Sequence, residues 1–284
     1  PEELFALKHL LHEQRLIKTA AEIRAMRQAA EITCEGHVRA MRACAPGMTE
    51  TQLEAELIYA FMRGGAKSPA YSSIVGGGAN ACVLHYVDNT ATLKKNDLVL
   101  IDAGCEFELY AADVTRTFPV SGSFSAVQRS LYEIVLAANE AAIEACRPGA
   151  LFTDPHQVAL EIMIDGLLDL KLLEGDRDEV LETETYRNFC PHGSSHWLGL
   201  DVHDVGDQRV DGEPRPLEPG MVLTIEPGIY IPDSELMAGV PARYRGIGIR
   251  VEDDVLITRE GREVLTTAAP KTVRDIEATM AQSL

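Results

Sequence analysis

Apolar residues recur at helical spacing through the first 45 positions, with Leu4, Leu7, Leu10 and Leu11 opening the pattern. Thr19 followed by Glu22 has the Thr-x-x-Glu form of a capping box, so a second helix is expected to start there, carrying Ile23, Met26, Ala30 and Cys34. Ala45-Pro46-Gly47 breaks it. Thr49 opens another helix with Leu53, Leu57, Ile58 and Phe61 on one face, closed by Gly64-Gly65. The period then shortens, predicting strands over 72–75, 82–86, 98–102 and 111–119, with Gly76 to Gly78 as a flexible turn. After Gly122 the order returns: a helix over 126–146, a break at Arg147-Pro148-Gly149, and a helix over 154–170. The polar stretch 174–187 reads as an insertion, and strands are expected over 198–203, 221–226 and 247–257.

Two of these stretches share an anomaly. LVLIDAG, from Leu98, and VLTIEPG, from Val222, are apolar runs that each stop at an acid and break at glycine. Runs without polar alternation suit strands buried on both faces. An isolated carboxylate there costs several kcal/mol or more unless it is neutralised or paired. LKKNDLVLIDAG, from Leu93, aligns with LEPGMVLTIEPG, from Leu217, without gaps, placing Asp102 on Glu226; CAPGMT at Cys44 matches CRPGAL at Cys146. An α+β fold of two related halves, about 15–122 and 126–265, is therefore expected, with a ligand where they meet.

Each half offers a second acid. Alternation puts Asp113 and Thr115 on one strand face, and Arg250 and Glu252 on another. Taken singly, each acid reads as a turn former, a cap or an ordinary ion-pair partner. Four carboxylates converging on one point repel, and two divalent cations about 3.5–4 Å apart resolve the repulsion. Histidines cluster in PHGSSHWLGLDVHD; in a straight strand His196 and His203 face opposite sides, and a turn near Gly199 changes this. His85 stands alone in VLHYVDN, where a structural role is the ordinary reading. No HExxH or GxSxG is present, and Gly76-Gly77-Gly78 lacks the lysine of a phosphate loop.

Composition narrows the partners. A formal net charge of −18 makes nucleic acid and anionic membrane poor partners. No apolar run is long enough to span a bilayer, and no secretory leader is recognisable. Six cysteines form no CxxC pair, which disfavours a zinc-thiolate site and suits reduced thiols in the cytoplasm. The chain opens at Pro1 directly into a helical pattern, as a part of a longer polypeptide would.

HGSSHWLGLDVHDVG, LVLIDAG, DVTRTFPVSG, MVLTIEPGIY and GIGIRVEDDVLIT together resemble the catalytic domain of the Xaa-Pro aminopeptidases (aminopeptidase P), metallopeptidases with the pita-bread fold shared by prolidase and methionine aminopeptidase. The resemblance runs from about Arg15 to Leu265 and lacks that family's N-terminal domain. It implies two pseudo-symmetric halves with a curved antiparallel sheet flanked by helices. It implies Asp102, Asp113, His196, Glu226 and Glu252 as ligands of two metal ions, with Asp113 and Glu252 bridging. His85, His192 and His203 match the family's active-site histidines, and Arg250 and Tyr230 match positions near the metals.

Hard oxygen donors with one imidazole suit Mn²⁺, which the resemblance also implies. The expected reaction is removal of an N-terminal residue from peptides with proline second, by a hydroxide held between the metals. Glu226 is the proton shuttle, His85 or His203 donates to the oxyanion, and His192 and Tyr230 form a wall for proline. A homo-oligomer is compatible with this reading. The alternatives are a prolidase restricted to dipeptides and a non-catalytic binding module on the same fold.

Overall fold

Three of the long helices begin at side-chain caps, two of them at the threonines that the sequence names. The structure, a computed structural model, describes residues 2–282 and 284, with side chains from residue 7, so the expected apolar contribution of Leu4 lies outside the described residues. α1 (Glu2–Leu16) ends three residues before Thr19, whose side chain accepts from the Glu22 N–H while the Glu22 carboxylate accepts from the Thr19 N–H. That reciprocal cap opens α2 (Ala20–Ala43). Thr49 with Gln52 opens α3 (Glu50–Arg63) in the same way, and Ser125 with Gln128 opens α4 (Ala126–Ala145). α5 (Asp154–Asp169) follows, with proline in its first turn. The polar stretch 174–187 is an ordered insertion: Asp176 caps α6 (Arg177–Thr183), buried Val180 anchors it, and a 3-10 turn covers Thr185–Asn188. α7 (Val273–Met280) closes the chain.

The strands are β1 (Ser68–Pro69), β2 (Ile74–Gly77), β3 (Leu98–Asp102), β4 (Cys105–Phe107), β5 (Tyr110–Ala111) and β6 (Thr115–Pro119). Then come β7 (Arg209–Val210), β8 (Glu213–Pro214), β9 (Val222–Ile225), β10 (Gly228–Ile231), β11 (Ile247–Arg250), β12 (Asp253–Thr258) and β13 (Gly261–Val264). Their order is β2-β3-β6, β13-β12-β9, β10-β11, β1-β4-β5 and β7-β8, and every pair is antiparallel. The expected α+β class holds. β3 and β9 are buried along their apolar lengths, as their unalternating sequences require. α2 packs on α3 and α4 on α5, and each pair leans on its neighbouring strands. Trp197, almost fully buried, packs against Phe152 with ring centroids 4.5 Å apart. β6 and β11 join the sheets: the Thr117 hydroxyl donates to the Arg250 carbonyl at 3.0 Å, and the Glu252 N–H donates to Thr115 O, also at 3.0 Å.

Four strand expectations need correction. Residues 111–119 are interrupted at 112–114, and 247–257 at 251–252, so Asp113 and Glu252 sit in breaks rather than on strand faces. The first break has a steric cause: a Cβ on Gly104 would overlap the Ala112 carbonyl, so the chain passes there only because that side chain is missing. Residues 198–203 form a closed turn, with the Asp204 N–H donating to Trp197 O at 2.9 Å; the segment that pairs with β9 is 194–198. Residues 82–86 form turns, Val83 N–H to Asn80 O and Tyr86 N–H to Val83 O. Gly76 and Gly77 belong to β2, and only Gly78, at φ +58, makes the turn. Gly76 is small because the backbone of Asn80 and Ala81 crosses 3.0 Å from where its Cβ would lie.

Candidate metal centre

The two acid-ended strands and the two breaks deliver their carboxylates to one cavity of about 450 Å³, lined by Asp102, Asp113, His196, Glu226 and Glu252 among others. Asp102 ends β3, and Glu226 follows β9. The Glu226 N–H donates to Ser194 O and the Thr224 N–H to His196 O, each at 2.9 Å, so the same backbone ladder fixes His196. Ligand atoms of Asp113, His196 and Glu252 lie within 4.8 Å of one another. The turn at 199–203 brings His203 back onto His196, edge to face with ring centroids 4.5 Å apart. His85 and His192 also line the cavity.

The electrostatics are those of an uncompensated acidic cluster. Burial and then Asp102 raise the Asp113 carboxyl; burial and then Asp113 raise Glu252 well above the carboxylate range. Burial lifts Glu226 to about 7 despite the opposing pull of His196. The His196 Nδ1–H donates to Trp197 O at 3.0 Å, which turns Nε2 toward Asp113 Oδ2 at 3.4 Å and Glu226 Oε1 at 3.5 Å. A neutral ring there would aim a lone pair at two carboxylates. Burial disfavours charging the ring, but the Asp113 hydrogen bond and Glu226 outweigh it and raise His196 to about 9. The Tyr71 hydroxyl contacts both Asp102, at 2.6 Å, and Asp113, with one proton for two acceptors. In place of those protons, a hard divalent cation on these oxygen and nitrogen donors would supply the positive charge that the acids lack.

One guanidinium meets this excess. Arg250 donates to Asp102 Oδ2 at 2.6 Å, to the Tyr230 hydroxyl at 2.8 Å and to Thr115 Oγ1 at 3.1 Å. The Tyr230 hydroxyl then donates to His192 Nε2 at 2.8 Å, and the His192 Nδ1–H donates to Gly193 O at 2.7 Å. Burial and then Arg250 depress His192 to about 4, so it stays neutral in that chain of bonds. Tyr230, expected as part of a substrate wall, is buried behind His192 and does not line the cavity.

Tyr71, Thr115 and Thr224 were not expected at the site. Thr115 donates to Glu252 Oε2 at 2.6 Å. The Thr224 hydroxyl accepts from the His196 N–H at 3.1 Å and reaches Glu226 Oε1 at 3.4 Å. Both threonines lie within two residues of an acid named from sequence, a signal that alternation offers once one face is known to carry ligands. Tyr71 precedes β2 and carries no such signal.

Residues 24–259 match the model of metallopeptidase family M24. The Xaa-Pro aminopeptidase of Haemophilus influenzae is 49% identical over 278 residues, 98% of this chain and 64% of that protein. The Xaa-Pro aminopeptidase of Escherichia coli is 50% identical over 281 residues, 99% of this chain and 63% of that protein. The chain thus spans less than two thirds of the length of these relatives. The solved structure of Pseudomonas aeruginosa aminopeptidase PepP superposes with a TM-score of 0.95 at 55% identity, covering 97% of this chain and 62% of that one. A Zn-substituted E. coli aminopeptidase P in complex with product gives 0.92 at 50% identity, covering 96% of this chain and 61% of that one. The expected pita-bread fold is therefore the observed one. Matched over most of its length in sequence and in backbone, the chain belongs to metallopeptidase family M24.

Proposed function

We propose that this chain is the catalytic part of a metal-dependent aminopeptidase that removes the first residue from peptides with proline in second position. The observation that carries the reading is the convergence of Asp102, Asp113, His196, Glu226 and Glu252 on one cavity, where a single arginine faces four carboxylates. These five residues would hold two divalent ions, and the hard donor set favours Mn²⁺. When bound, such ions supply positive charge and Lewis acidity to the scissile carbonyl and the attacking water.

The chain's own residues do the rest. Glu226 takes a proton from the water and passes it to the leaving proline nitrogen. His85 and His203 line the same cavity and donate to the carbonyl oxygen as it becomes negative. Asp102 receives the substrate's free amino group, which restricts cleavage to the N-terminus. An Xaa-Pro bond has no N–H, so the site needs no acceptor there. A neutral imidazole, His192, held in place by Tyr230, gives the proline ring a flat wall. The six cysteines are unpaired, which suits a reducing, cytoplasmic setting.

The test is digestion of Xaa-Pro-Yaa peptides and Xaa-Pro dipeptides by the purified chain, after exhaustive chelation and after adding Mn²⁺. Release of the first residue from the longer peptides only with Mn²⁺ is expected. Cleavage of dipeptides alone would make it a prolidase, and no cleavage with bound metal would leave a binding module.

A further inference from the structure

His85 sits on a long excursion between β2 and β3, where no strand or long helix holds it. The excursion is tied to one buried carboxylate. Glu50, in the first turn of α3, has no exposed surface. Its Oε1 accepts from the Gly77 N–H at 2.8 Å and from Asn80 Nδ2 at 2.9 Å. Its Oε2 accepts from the Tyr86 hydroxyl and the Ala91 N–H, each at 2.8 Å. These donors come from the last residue of β2, the turn after it and two later points on the excursion, and Tyr86 is the residue next to His85. Among the described residues no lysine, arginine or histidine pairs with Glu50. Donors and the helix N-terminus stabilise its charge in place of a counter-ion.

The surroundings press the excursion into the same place. Ala91 O accepts from the Glu50 N–H at 2.9 Å. Asn89, buried at φ 47, accepts from the Val75 N–H at 2.9 Å and donates to Ser73 O at 2.8 Å and to Glu54 Oε2 at 3.0 Å. A Cβ on Gly248 would overlap the Ala81 carbonyl, so β11, which ends at Arg250, packs directly on the turn before His85.

We propose that Glu50 is a positioning residue that acts through Tyr86 to hold His85 at the reaction centre. This rests on the aminopeptidase reading above. All four partners of Glu50 are donors, and two are backbone N–H groups that cannot turn into acceptors. An isosteric glutamine must aim its NH₂ at one of those pairs, leaving at least one buried donor without an acceptor. None of the hydrogen-bond partners of Glu50 is a ligand residue, so metal binding should be untouched while His85 loses its seat.

The test uses the Mn²⁺-loaded chain. Glu50→Gln should lower kcat by on the order of 10- to 100-fold, with KM and bound Mn²⁺ within about twofold of the unaltered chain. Tyr86→Phe, which removes one arm, should give a smaller loss of the same kind. In a His85→Ala background the Glu50→Gln factor should shrink to about twofold or less, because the two changes remove one function. Hydrogen exchange over 78–91 should quicken in Glu50→Gln while that of β3 and β9 does not. An undiminished Glu50→Gln effect in the His85→Ala background overturns the proposal, as does unchanged exchange over 78–91. If Glu50→Gln does not fold, Tyr86→Phe decides by the same readouts. A chain with bound Mn²⁺ that cleaves no Xaa-Pro peptide defeats the aminopeptidase reading instead, and the exchange measurement then decides the hold of Glu50 on its own.

Discussion

Glu226 and His196 are the residues whose protonation the fold alters in opposite chemical senses and in the same energetic one. Glu226 moves from 4.5 to about 7, and His196 from 6.5 to about 9. Without metal, the folded chain therefore binds more protons than the unfolded chain across both intervals. The contribution of His196 is complete below its unfolded value and is lost as pH rises through the folded one. Glu226 is tolerated only while protonated, so its ionisation also costs stability as pH rises toward 7. Raised Asp113 and Glu252 act in the same direction. The metal-free chain should thus lose on the order of 5–10 °C of unfolding temperature between about pH 5.5 and 9. Glu226→Gln should flatten the lower part of that slope. A metal-free protein whose unfolding temperature is level across that range would contradict these assignments. Metal replaces the protons, so its affinity should fall on acidification.

At the scale of elements, the decisive features are the places where regular structure stops. Gly104 allows the chain to cross the Ala112 carbonyl, and that crossing sets Asp102 and Asp113 against the same Tyr71 hydroxyl. Gly104→Ala should destabilise the fold by about 2–3 kcal/mol or more, because backbone rather than a flexible side chain must move. Its metal affinity should fall with it. Gly47→Ala is the matched control: φ is +93 but nothing lies within 4 Å, so about 1 kcal/mol is expected, with metal binding unchanged. Equal losses in the two variants, by thermal unfolding and metal titration, would remove Gly104 from the account. The contrast also shows what a sequence reveals. Thr19, Thr49 and the helices they open were legible because a cap is a local rule. The acid-ended runs were legible because a buried carboxylate is costly wherever it lies. The breaks at 112–114 and 251–252 were not, since each is fixed by a neighbour distant in sequence. Alternation nevertheless named Asp113 and Glu252, because the acids kept their side of the chain through the break. Tyr71 and Glu50 went unseen because a lone tyrosine and a helix-start glutamate have no pattern until the excursion folds over them.

On the scale of the whole molecule, the ligands divide by sequence. Asp102 and Asp113 precede residue 122, whereas His196, Glu226 and Glu252 follow residue 126. We propose that these boundaries separate two related halves and that the metal joins them. Across this seam, backbone bonds run from Glu252 N–H to Thr115 O, from Ala111 N–H to Gly199 O and from Lys18 N–H to Gly220 O, and the Thr117 hydroxyl pairs with the Arg250 backbone. The seam also holds the repelling acids. Without cations the seam is where the fold should be weakest, and with them it becomes a cross-link. Free Mn²⁺ at about 100 times its dissociation constant adds about 2.7 kcal/mol of stability by mass action. For a chain of this size that corresponds to roughly 5–10 °C in unfolding temperature. Exhaustive chelation should remove that increment, and Mn²⁺ should restore it, measured by thermal unfolding without any substrate. Hydrogen exchange should locate the gain at β3, β6, β9 and β11 rather than in α1 or α7. A gain spread evenly over the chain would mean that the ions bind without bridging the halves. No change in unfolding temperature on chelation and re-addition would mean that the five residues hold no metal, and the buried acids would then be neutralised by protons alone.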